Sequence, residues 1–257
     1  MMRVKEKIDA LEAMKNYPKE LFFSGNIELL KKTKISIVGS RKPTKYSRSL
    51  THQLSSSLSK NGICIVSGGA MGIDAVSHKG AGASNTIAVL PCGINIKYPA
   101  VNKNLLSEIE KDGLLLSQFD EDFRATPWSF VVRNELVVAL GDVLVVSEAE
   151  LNSGSMRSIE LALKMHKEIY VFTHRIGEST ATNELLKSGK AKAIYDIEEF
   201  VSKFAIHEVQ YKKEDSFLEF CKTNPTYDEA LKKYPNRIFE AELSGEIEVV
   251  NGRILNN

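Results

Sequence analysis

The chain has 257 residues, of which 43% are hydrophobic and 26% are charged, an ordinary globular composition that allows one large domain or a large domain with a small appendage. With 34 Lys and Arg against 33 Asp and Glu, the formal net charge of +1 excludes a protein that coats nucleic acid by charge alone, although a local basic site remains possible. No stretch approaches the roughly 20 apolar residues that a membrane helix needs.

The N-terminal segment and the cysteine pattern both predict a cytoplasmic protein. Residues 1–16 are charged throughout and contain no apolar signal core, so we do not expect secretion or a membrane partner. The three cysteines, Cys64, Cys92 and Cys221, are far apart and odd in number, which predicts neither a disulfide framework nor a CxxC metal site. A reducing compartment fits this pattern, and no metal or cofactor is expected.

In chain order, residues 1–34 are predicted to be a charged, helical N-terminal extension that Pro18 and Gly25 interrupt. From residue 35 onward, short apolar runs alternate with helix-compatible segments. Strands are predicted at 35–38, 63–66, 86–90, 114–117, 143–146 and 169–172, and helices near 46–60, 71–82, 102–111, 129–140, 155–166 and 181–188. Short, nearly continuous apolar strands between amphipathic helices indicate a doubly wound α/β domain with a mostly parallel sheet, over residues 35–206.

The C-terminal part has a different character. Residues 207–215 are polar and charged and are predicted to be a linker. Residues 216–257 contain two or three short helices and then the pair Asn251-Gly252 between β-prone residues, which is a hairpin signal. This order predicts a small winged-helix-like module. Residues 207–257 carry seven Lys and Arg against ten Asp and Glu, which disfavours duplex DNA as a ligand of the module.

The first predicted strand runs into Gly39-Ser40-Arg41, followed by Lys42 and Lys45. A glycine turn that opens a helix can direct backbone N–H groups and hydroxyls at an anion, and Arg41 could bind a phosphate through two parallel hydrogen bonds. Equally, Gly39 could simply end the strand while the cations form a solvated face. The turn alone does not decide between these two interpretations.

The second strand runs into a glycine-rich loop that contains Gly68, Gly69 and Gly72. Such a loop allows a ligand to approach the backbone closely. It matches neither the GxGxxG dinucleotide fingerprint nor the GxxxxGK[ST] phosphate loop, which argues against nucleotide hydrolysis by that machinery. Helix capping is the favoured role of Asp74, and packing or hydrogen bonding is the favoured role of His78.

Three later segments complete the candidate site. Cys92 follows the third strand without an evident partner base, so a buried thiol is favoured over a nucleophile. Trp128, Phe130 and Arg133 lie close together at the start of a predicted helix, where we expect one aromatic ring in the core and the other against a ligand. After the fifth strand come Ser153, Gly154 and Ser155, a third loop of glycine and hydroxyl groups. Three such loops at one edge of a sheet would form a trough long enough for a strand of nucleic acid.

Taken together, these motifs resemble those of the DNA-processing protein A (DprA/Smf) family over about residues 35–190. The motifs are 37–41, 67–74, 86–90 with Tyr98-Pro99 and Asn102, Phe130 with Arg133-Asn134, and Glu148-Ala149 with Ser153-Gly154-Ser155. The resemblance implies an extended Rossmann-like domain that binds and protects single-stranded DNA without sequence preference. It further implies a homodimer that loads the RecA recombinase during natural transformation and homologous recombination, without enzymatic activity.

The resemblance also implies, position by position within these motifs, which residues of this chain bind DNA. The DNA-binding candidates are Gly39, Ser40, Arg41, Lys42, Lys45, Gly68, Gly69, Gly72, Phe130, Arg133, Ser153, Gly154 and Ser155. Two positions depart from the family pattern, since Val131 replaces a proline and Glu135 replaces a second arginine. Charge lost there could be supplied by Lys164, Lys167, Arg175 or Lys187.

The main alternative is an enzyme, a Rossmann-like nucleoside-monophosphate phosphoribohydrolase. Those enzymes share a similar first glycine loop and add a PGGxGTxxE motif, whose acidic residue acts on the ribose. Here the corresponding segment is 152–156, with Glu160 one helical turn later and no second glycine pair. A third hypothesis, an interaction scaffold without a nucleic-acid ligand, rests on the near-neutral charge.

Overall fold

A computed structural model of the chain describes residues 2–205, 216–221, 223–235, 237–243, 247–250 and 252–256. Two compact units are present, Met1–Ile206 and His207–Asn257. The strands of the first unit are β1 (Met2–Arg3), β2 (Phe22–Gly25), β3 (Lys34–Val38), β4 (Cys64–Ser67), β5 (Thr86–Val89), β6 (Leu114–Ser117), β7 (Val143–Val146), β8 (Ile169–Phe172) and β9 (Lys192–Ile194). Its α-helices are α1 (Lys45–Lys60), α2 (Ile73–Ala81), α3 (Lys103–Asp112), α4 (Pro127–Leu140), α5 (Ser155–Lys164), α6 (Thr180–Lys187) and α7 (Ile197–Ser202).

These strands form one sheet in the order β1-β2-β6-β5-β4-β3-β7-β8-β9. The seven strands from β6 to β9 in this order are parallel, and β1 and β2 add an antiparallel edge. From β3 the chain winds outward through β4, β5 and β6, and it then returns to β7 on the other side of β3. The direction of winding therefore reverses between β3 and β7, the place where doubly wound sheets bind ligands. The predicted α/β fold class is confirmed.

Alternate residues of the central strands are buried on opposite faces of the sheet. Ile35 and Ile37 of β3 belong to a core that includes Leu54 and Leu58 of α1. On the other face, β7 contributes Leu144 and Val146 to a larger core that includes α4 and α5. Burial of both faces explains why the strands read as continuous apolar runs in the sequence.

The structure corrects the prediction of a helical N-terminal extension. Within residues 2–33 it contains β1, β2 and two short 3-10 helices, Asp9–Ala13 and Ile27–Lys31, and no α-helix. Phe22 and Phe23 are buried, and β2 pairs with β6, so that Phe22 lies opposite Ser117. This pairing partner is nearly 100 residues away in the chain, which local sequence patterns do not reveal. The segment is therefore part of the α/β unit.

The second unit contains α8 (Ser216–Cys221), α9 (Tyr227–Lys233), α10 (Arg237–Leu243), β10 (Ile247–Val250) and β11 (Arg253–Asn256). The last two strands pair antiparallel, so the predicted hairpin is confirmed. Phe217, Cys221 and Ile254 are among the residues of a separate small core. Three helices before a hairpin are the order expected of a winged helix, which stays a prediction. The predicted linker 207–215 lies outside the described residues.

Within the described ranges, no helix has the length and apolarity needed to cross a bilayer.

Candidate functional site

A cavity of about 350 Å³ lies at the carboxyl ends of β3 and β7, where the winding direction reverses. It joins the loop after β3, the loop before α2, the first turns of α4 and the loop that opens α5. Its lining residues are Val38, Gly39, Ser40, Arg41, Ala70, Asp74, Phe130, Arg133, Asn134, Ser153, Gly154, Ser155 and Ser158. Eight predicted site residues, distant in sequence, are thus brought together.

The turn after β3 is fixed by backbone contacts on both sides. The N–H of Ser40 donates to the carbonyl of Glu148 over 2.8 Å, and the carbonyl of Ser40 accepts from Ile73 over 3.1 Å. Arg41 follows as an exposed side chain with no ion pair among the described residues. Its guanidinium carbon lies 5.5 Å from the centroid of the Phe130 ring. The turn therefore presents a free cation at the mouth of the cavity.

Glu148, just after β7, ties the two sides of the cavity together. Its carboxylate accepts from the backbone N–H and the hydroxyl of Thr44, over 2.9 and 2.8 Å. Burial opposes the charged form, but hydrogen bonds from Ser47 and Thr44 outweigh it and lower the pKa of Glu148. Thr44 in turn caps α1 by accepting from the N–H of Ser47. In the sequence Glu148 stands out only as part of a family motif, and no local signal predicts this bracing role.

The glycine-rich loop after β4 supports the cavity from behind. Gly72 has φ of +79°, and a Cβ there would clash with the carbonyl oxygen of Ser40 and lie 2.6 Å from the carbonyl carbon of Arg41. The carbonyl of Gly69 accepts from the Asn102 amide over 3.0 Å. Neither Gly69 nor Gly72 lines the cavity, and Gly68 lines a small adjoining pocket with Tyr98. These glycines allow the two loops to pack closely.

Arg133 lies beneath the cavity and is 96% buried, with a relative exposure of 4%. Its Nη1 donates to the carbonyls of Val89, over 3.0 Å, and of Gly68. Nε has no hydrogen-bond partner among the described residues. Burial lowers the pKa of Arg133, and the nearby Asp74 carboxylate partly counters this effect. The guanidinium therefore holds two strand ends in place and still has an unused donor.

Asp74 does not cap α2 as expected, because the cap residue is Gly72 and no side chain makes the capping bond. Asp74 lies in the first turn of α2, where its Oδ2 accepts from the N–H of Ala70 over 3.3 Å. Burial raises the pKa of Asp74 more than Arg133 lowers it. Among the described residues that line the cavity, it is the only carboxyl group. The cavity therefore favours an anionic ligand.

His78, on the same helix, is fully buried and its Nδ1 lies 2.7 Å from the hydroxyl of Thr86. Burial lowers the pKa of His78 to about 3, so the imidazole is neutral at physiological pH. Cys92 is also buried, and burial raises the pKa of its thiol to about 11. The favoured structural roles of both residues are confirmed.

The two aromatic residues at the start of α4 differ from expectation, because neither is in the core. Thr126 caps the helix through a reciprocal pair of hydrogen bonds with Ser129, and Pro127 occupies the first turn. Phe130 is half-buried and lines the cavity, whereas Trp128 is 61% exposed. The capped first turn of α4 therefore places Phe130 at the cavity and leaves Trp128 open to solvent.

The loop after β7 closes the cavity with hydroxyl groups. Gly154 is the cap residue of α5, and Ser153, Gly154 and Ser155 all line the cavity. The hydroxyl of Ser153 is buried and has no partner among the described residues. Helix N-termini with free hydroxyls are suited to anions, and phosphate is the anion that a fork-shaped guanidinium binds well. The cavity can therefore hold a phosphate group.

The remaining predicted cations do not line the cavity. Lys42 and Lys45 are exposed at the N-terminal end of α1. Lys167 is not a lining residue, and its Nζ donates a hydrogen bond to the carbonyl of Ala139 over 2.7 Å. Lys187 lies 3.8 Å from Glu184, and neither Lys164 nor Arg175 is among the lining residues. The positive charge of the cavity itself comes from Arg41 and Arg133.

The cavity is also lined by four residues outside the predicted set, Val38, Ala70, Asn134 and Ser158. The first three lie within quoted motifs and Ser158 follows the last one, but no local signal singles them out. No group of three or more metal-ligating side chains occurs in the described part of the chain.

Comparison with known proteins places this site in context. Residues 5–205 match the family model of DNA recombination-mediator protein A. The chain is 31% identical over 206 residues to DNA processing protein DprA of Bacillus subtilis, covering 78% of this chain and 69% of that protein. It is 32% identical over 214 residues to protein Smf of Escherichia coli, covering 80% and 57%.

Two solved structures share the fold. DNA processing protein A of Helicobacter pylori, described for its single-stranded DNA binding mode, superposes with a TM-score of 0.77 at 40% identity, covering 79% of this chain and 94% of that one. The X-ray structure of DprA from Streptococcus pneumoniae has a TM-score of 0.72 at 30% identity, covering 78% and 72%.

Proposed function

This chain belongs to the DNA recombination-mediator protein A family, and from that premise we propose that it binds single-stranded DNA through the cavity between β3, β7 and α4. The observation that carries the proposal is the unpaired Arg41 at the mouth of a cavity lined by serine hydroxyls and the buried Arg133. Guanidinium and hydroxyl groups bind phosphate oxygens, which are alike in every nucleotide. Binding is therefore independent of base sequence.

The wider role rests on family membership. We propose that the protein acts as a homodimer, protects incoming single strands and loads a RecA-type recombinase onto them in natural transformation and homologous recombination. We also propose that it does so without catalysing a reaction.

The rival hypothesis is hydrolysis of a nucleoside monophosphate, which needs an ionised carboxylate near the ribose. Asp74 is the carboxyl group among the described lining residues, but it is buried with its Oδ2 accepting from the N–H of Ala70 over 3.3 Å, and burial raises its pKa. Glu160, the candidate from the sequence, is exposed on α5 and is not a lining residue. Both findings favour binding over hydrolysis.

The test is the affinity of Arg41→Ala for a labelled thymidine oligomer. Loss of a charge-assisted phosphate contact should weaken binding about tenfold or more. It should also reduce the slope of log affinity against log salt by about 0.7. Arg175→Ala is the matched control, because Arg175 is an exposed arginine outside the cavity lining, and it should bind like the wild type.

Unchanged affinity in Arg41→Ala would remove this cavity from the DNA-binding site. Incubation of the wild type with AMP tests the rival hypothesis, because release of adenine would establish hydrolysis of a nucleoside monophosphate. Binding of the oligomer with no adenine released supports the proposal.

A further inference from the structure

Exposed apolar side chains continue from the cavity along the carboxyl edge of the sheet. Met71 follows β4 with 46% exposure, Tyr98 follows β5 with 44%, and Trp128 lies beyond β6 with 61%. Because β4, β5 and β6 are neighbours in the sheet, the loops that carry these side chains leave it from strands about 4.8 Å apart. Met71 and Tyr98 also line the small pocket that adjoins the cavity and shares Arg41 and Phe130 with it.

Phe130, the aromatic residue inside the cavity, is already surrounded by other side chains. The guanidinium carbons of Arg41 and Arg133 lie 5.5 and 5.9 Å from its ring centroid, and the Tyr98 ring meets it edge-on at 5.8 Å. Two guanidinium groups therefore already lie over this ring, where a base would have to stack. The geometry suits Phe130 to orienting Arg41 by a cation–π contact rather than to binding a base.

Trp128, in contrast, is held in position while remaining open to a ligand. Its ring contacts Phe119 in a T-shaped arrangement, with centroids 5.8 Å apart and planes at 71°. Phe119 is buried and stacks on Phe123 at 4.6 Å, which gives the indole a rigid support. An exposed, oriented indole with one supported edge is the arrangement on which a base stacks.

The charge around Trp128 favours a base over a phosphate. Asp120, Glu121 and Asp122 are exposed on the loop that carries Phe119, and the N–H of Asn95 fixes this loop through the carbonyl of Glu121 over 3.3 Å. These three carboxylates outnumber the single cation of the loop, the exposed Arg124, and the net negative charge repels the phosphate backbone but not an uncharged base. On this side of the cavity the nucleic acid is therefore bound by stacking and not by charge.

We propose that Trp128 is a stacking platform for a base of the single strand whose backbone occupies the cavity. This inference rests on the proposed function. It assigns phosphate binding to Arg41 and Arg133, and base stacking further along the strand to Trp128.

Trp128 is the only tryptophan in the chain, so the intrinsic tryptophan fluorescence of the protein reports on this residue alone. A thymidine oligomer about 12 nucleotides long, which falls within the usual site size of single-strand binding domains, should quench the tryptophan fluorescence. Quenching should follow the same binding curve as the anisotropy of a labelled oligomer. Thymidine 5′-monophosphate, a single nucleotide that cannot occupy the cavity and the indole at the same time, should quench much less.

Variants separate stacking from charge. Trp128→Ala should weaken binding of the oligomer about tenfold, as expected for loss of one stacked base, and leave the salt slope unchanged. Trp128→Phe should recover part of the loss, since a smaller ring still stacks. Val131→Ala, at an exposed apolar residue of the same helix, is the control and should bind like the wild type.

The outcomes distinguish this inference from the proposed function. If the labelled oligomer binds but the fluorescence of Trp128 stays constant and Trp128→Ala binds normally, the stacking platform is wrong while DNA binding stands. If the oligomer fails to bind the wild type at all, the proposed function fails with it. A native circular dichroism spectrum of Trp128→Ala shows that any loss of affinity is not a loss of fold.

Discussion

Single buried polar residues hold the site together without touching a ligand. Glu148 links the loop after β7 to Thr44 at the start of α1, and Arg133 links the ends of β4 and β5 through the carbonyls of Gly68 and Val89. A buried charge is tolerated only where such partners satisfy it, so each of these side chains fixes the geometry of the loops around it.

His78 gives this burial a measurable consequence. Its pKa falls to about 3 in the folded protein, from 6.5 for an exposed imidazole, because burial disfavours the charged ring. Below pH 6.5 the unfolded chain therefore binds a proton that the folded protein excludes. The free energy of unfolding should fall on acidification, at a rate approaching 1.4 kcal/mol per pH unit, or about one proton.

The measurement is urea unfolding at several pH values between 6.5 and about 5, above the range where carboxylates titrate. His78→Asn should be less stable near neutral pH and should lose this contribution to the slope. His52→Asn, at an exposed histidine, is the control and should keep the wild-type slope. An unchanged slope in His78→Asn would mean that the imidazole is not buried in its neutral form.

At the scale of elements, the two glycine loops work as a pair. The backbone of Ser40 and Arg41 packs against Gly72. Gly72 has a φ of +79°, and its close contact with the carbonyl of Ser40 leaves no room for a side chain. The first turn of α4, capped by Thr126, brings Phe130 against Arg41 from the other side. The position of Arg41 therefore depends on three elements and not on its own turn alone.

Gly72→Ala tests this dependence. Strain at positive φ and the clash with the Ser40–Arg41 backbone should lower the free energy of unfolding by about 2 kcal/mol or more. The shifted turn should also weaken binding of thymidine oligomers. Urea unfolding and anisotropy titration measure the two effects.

Gly154→Ala is the matched control for unfolding. Gly154 has φ of −60°, and a Cβ there would meet no atom within 4 Å, so stability should change by less than about 0.5 kcal/mol. A Gly72→Ala protein as stable as this control would show that the second loop does not support the first.

At the scale of the whole molecule, the two units differ in charge and in their share of the site. Every described residue that lines the cavity lies in Met1–Ile206, and residues 207–257 carry a net charge of −3. The second unit has its own small core. An acidic unit adds little attraction for a phosphate backbone.

Deletion of residues 212–257 should therefore preserve most of the affinity for thymidine oligomers. The measurement is a gel shift at low salt, with far-ultraviolet circular dichroism to confirm the fold of the remaining chain. Loss of binding in a protein that keeps its native spectrum would place part of the site in the second unit.

The central sheet and its helices could be predicted because their signals are local. All six predicted strands from residue 35 to 172 are present, since a strand buried on both faces must be apolar throughout, as in Val143–Val146. The strand β9 escaped prediction because it lies at an edge of the sheet, and β2, which lies between β1 and β6, escaped it because its pairing is long-range. Lys192 and Ala193 in β9 are not fully buried, and the pairing of β2 with β6 spans much of the chain.

The sequence by itself determined the fold class, the family and the loops that follow the parallel strands, because glycine turns at strand ends and continuous apolar runs are properties of neighbouring residues. Only the tertiary structure decided which of the candidates meet. It placed Arg41 and Ser153 around one cavity and Gly69 and Gly72 behind it, and it left Trp128 exposed. These outcomes depend on the order of strands in the sheet and on which side chains are desolvated, and both are set by contacts between residues far apart in the chain.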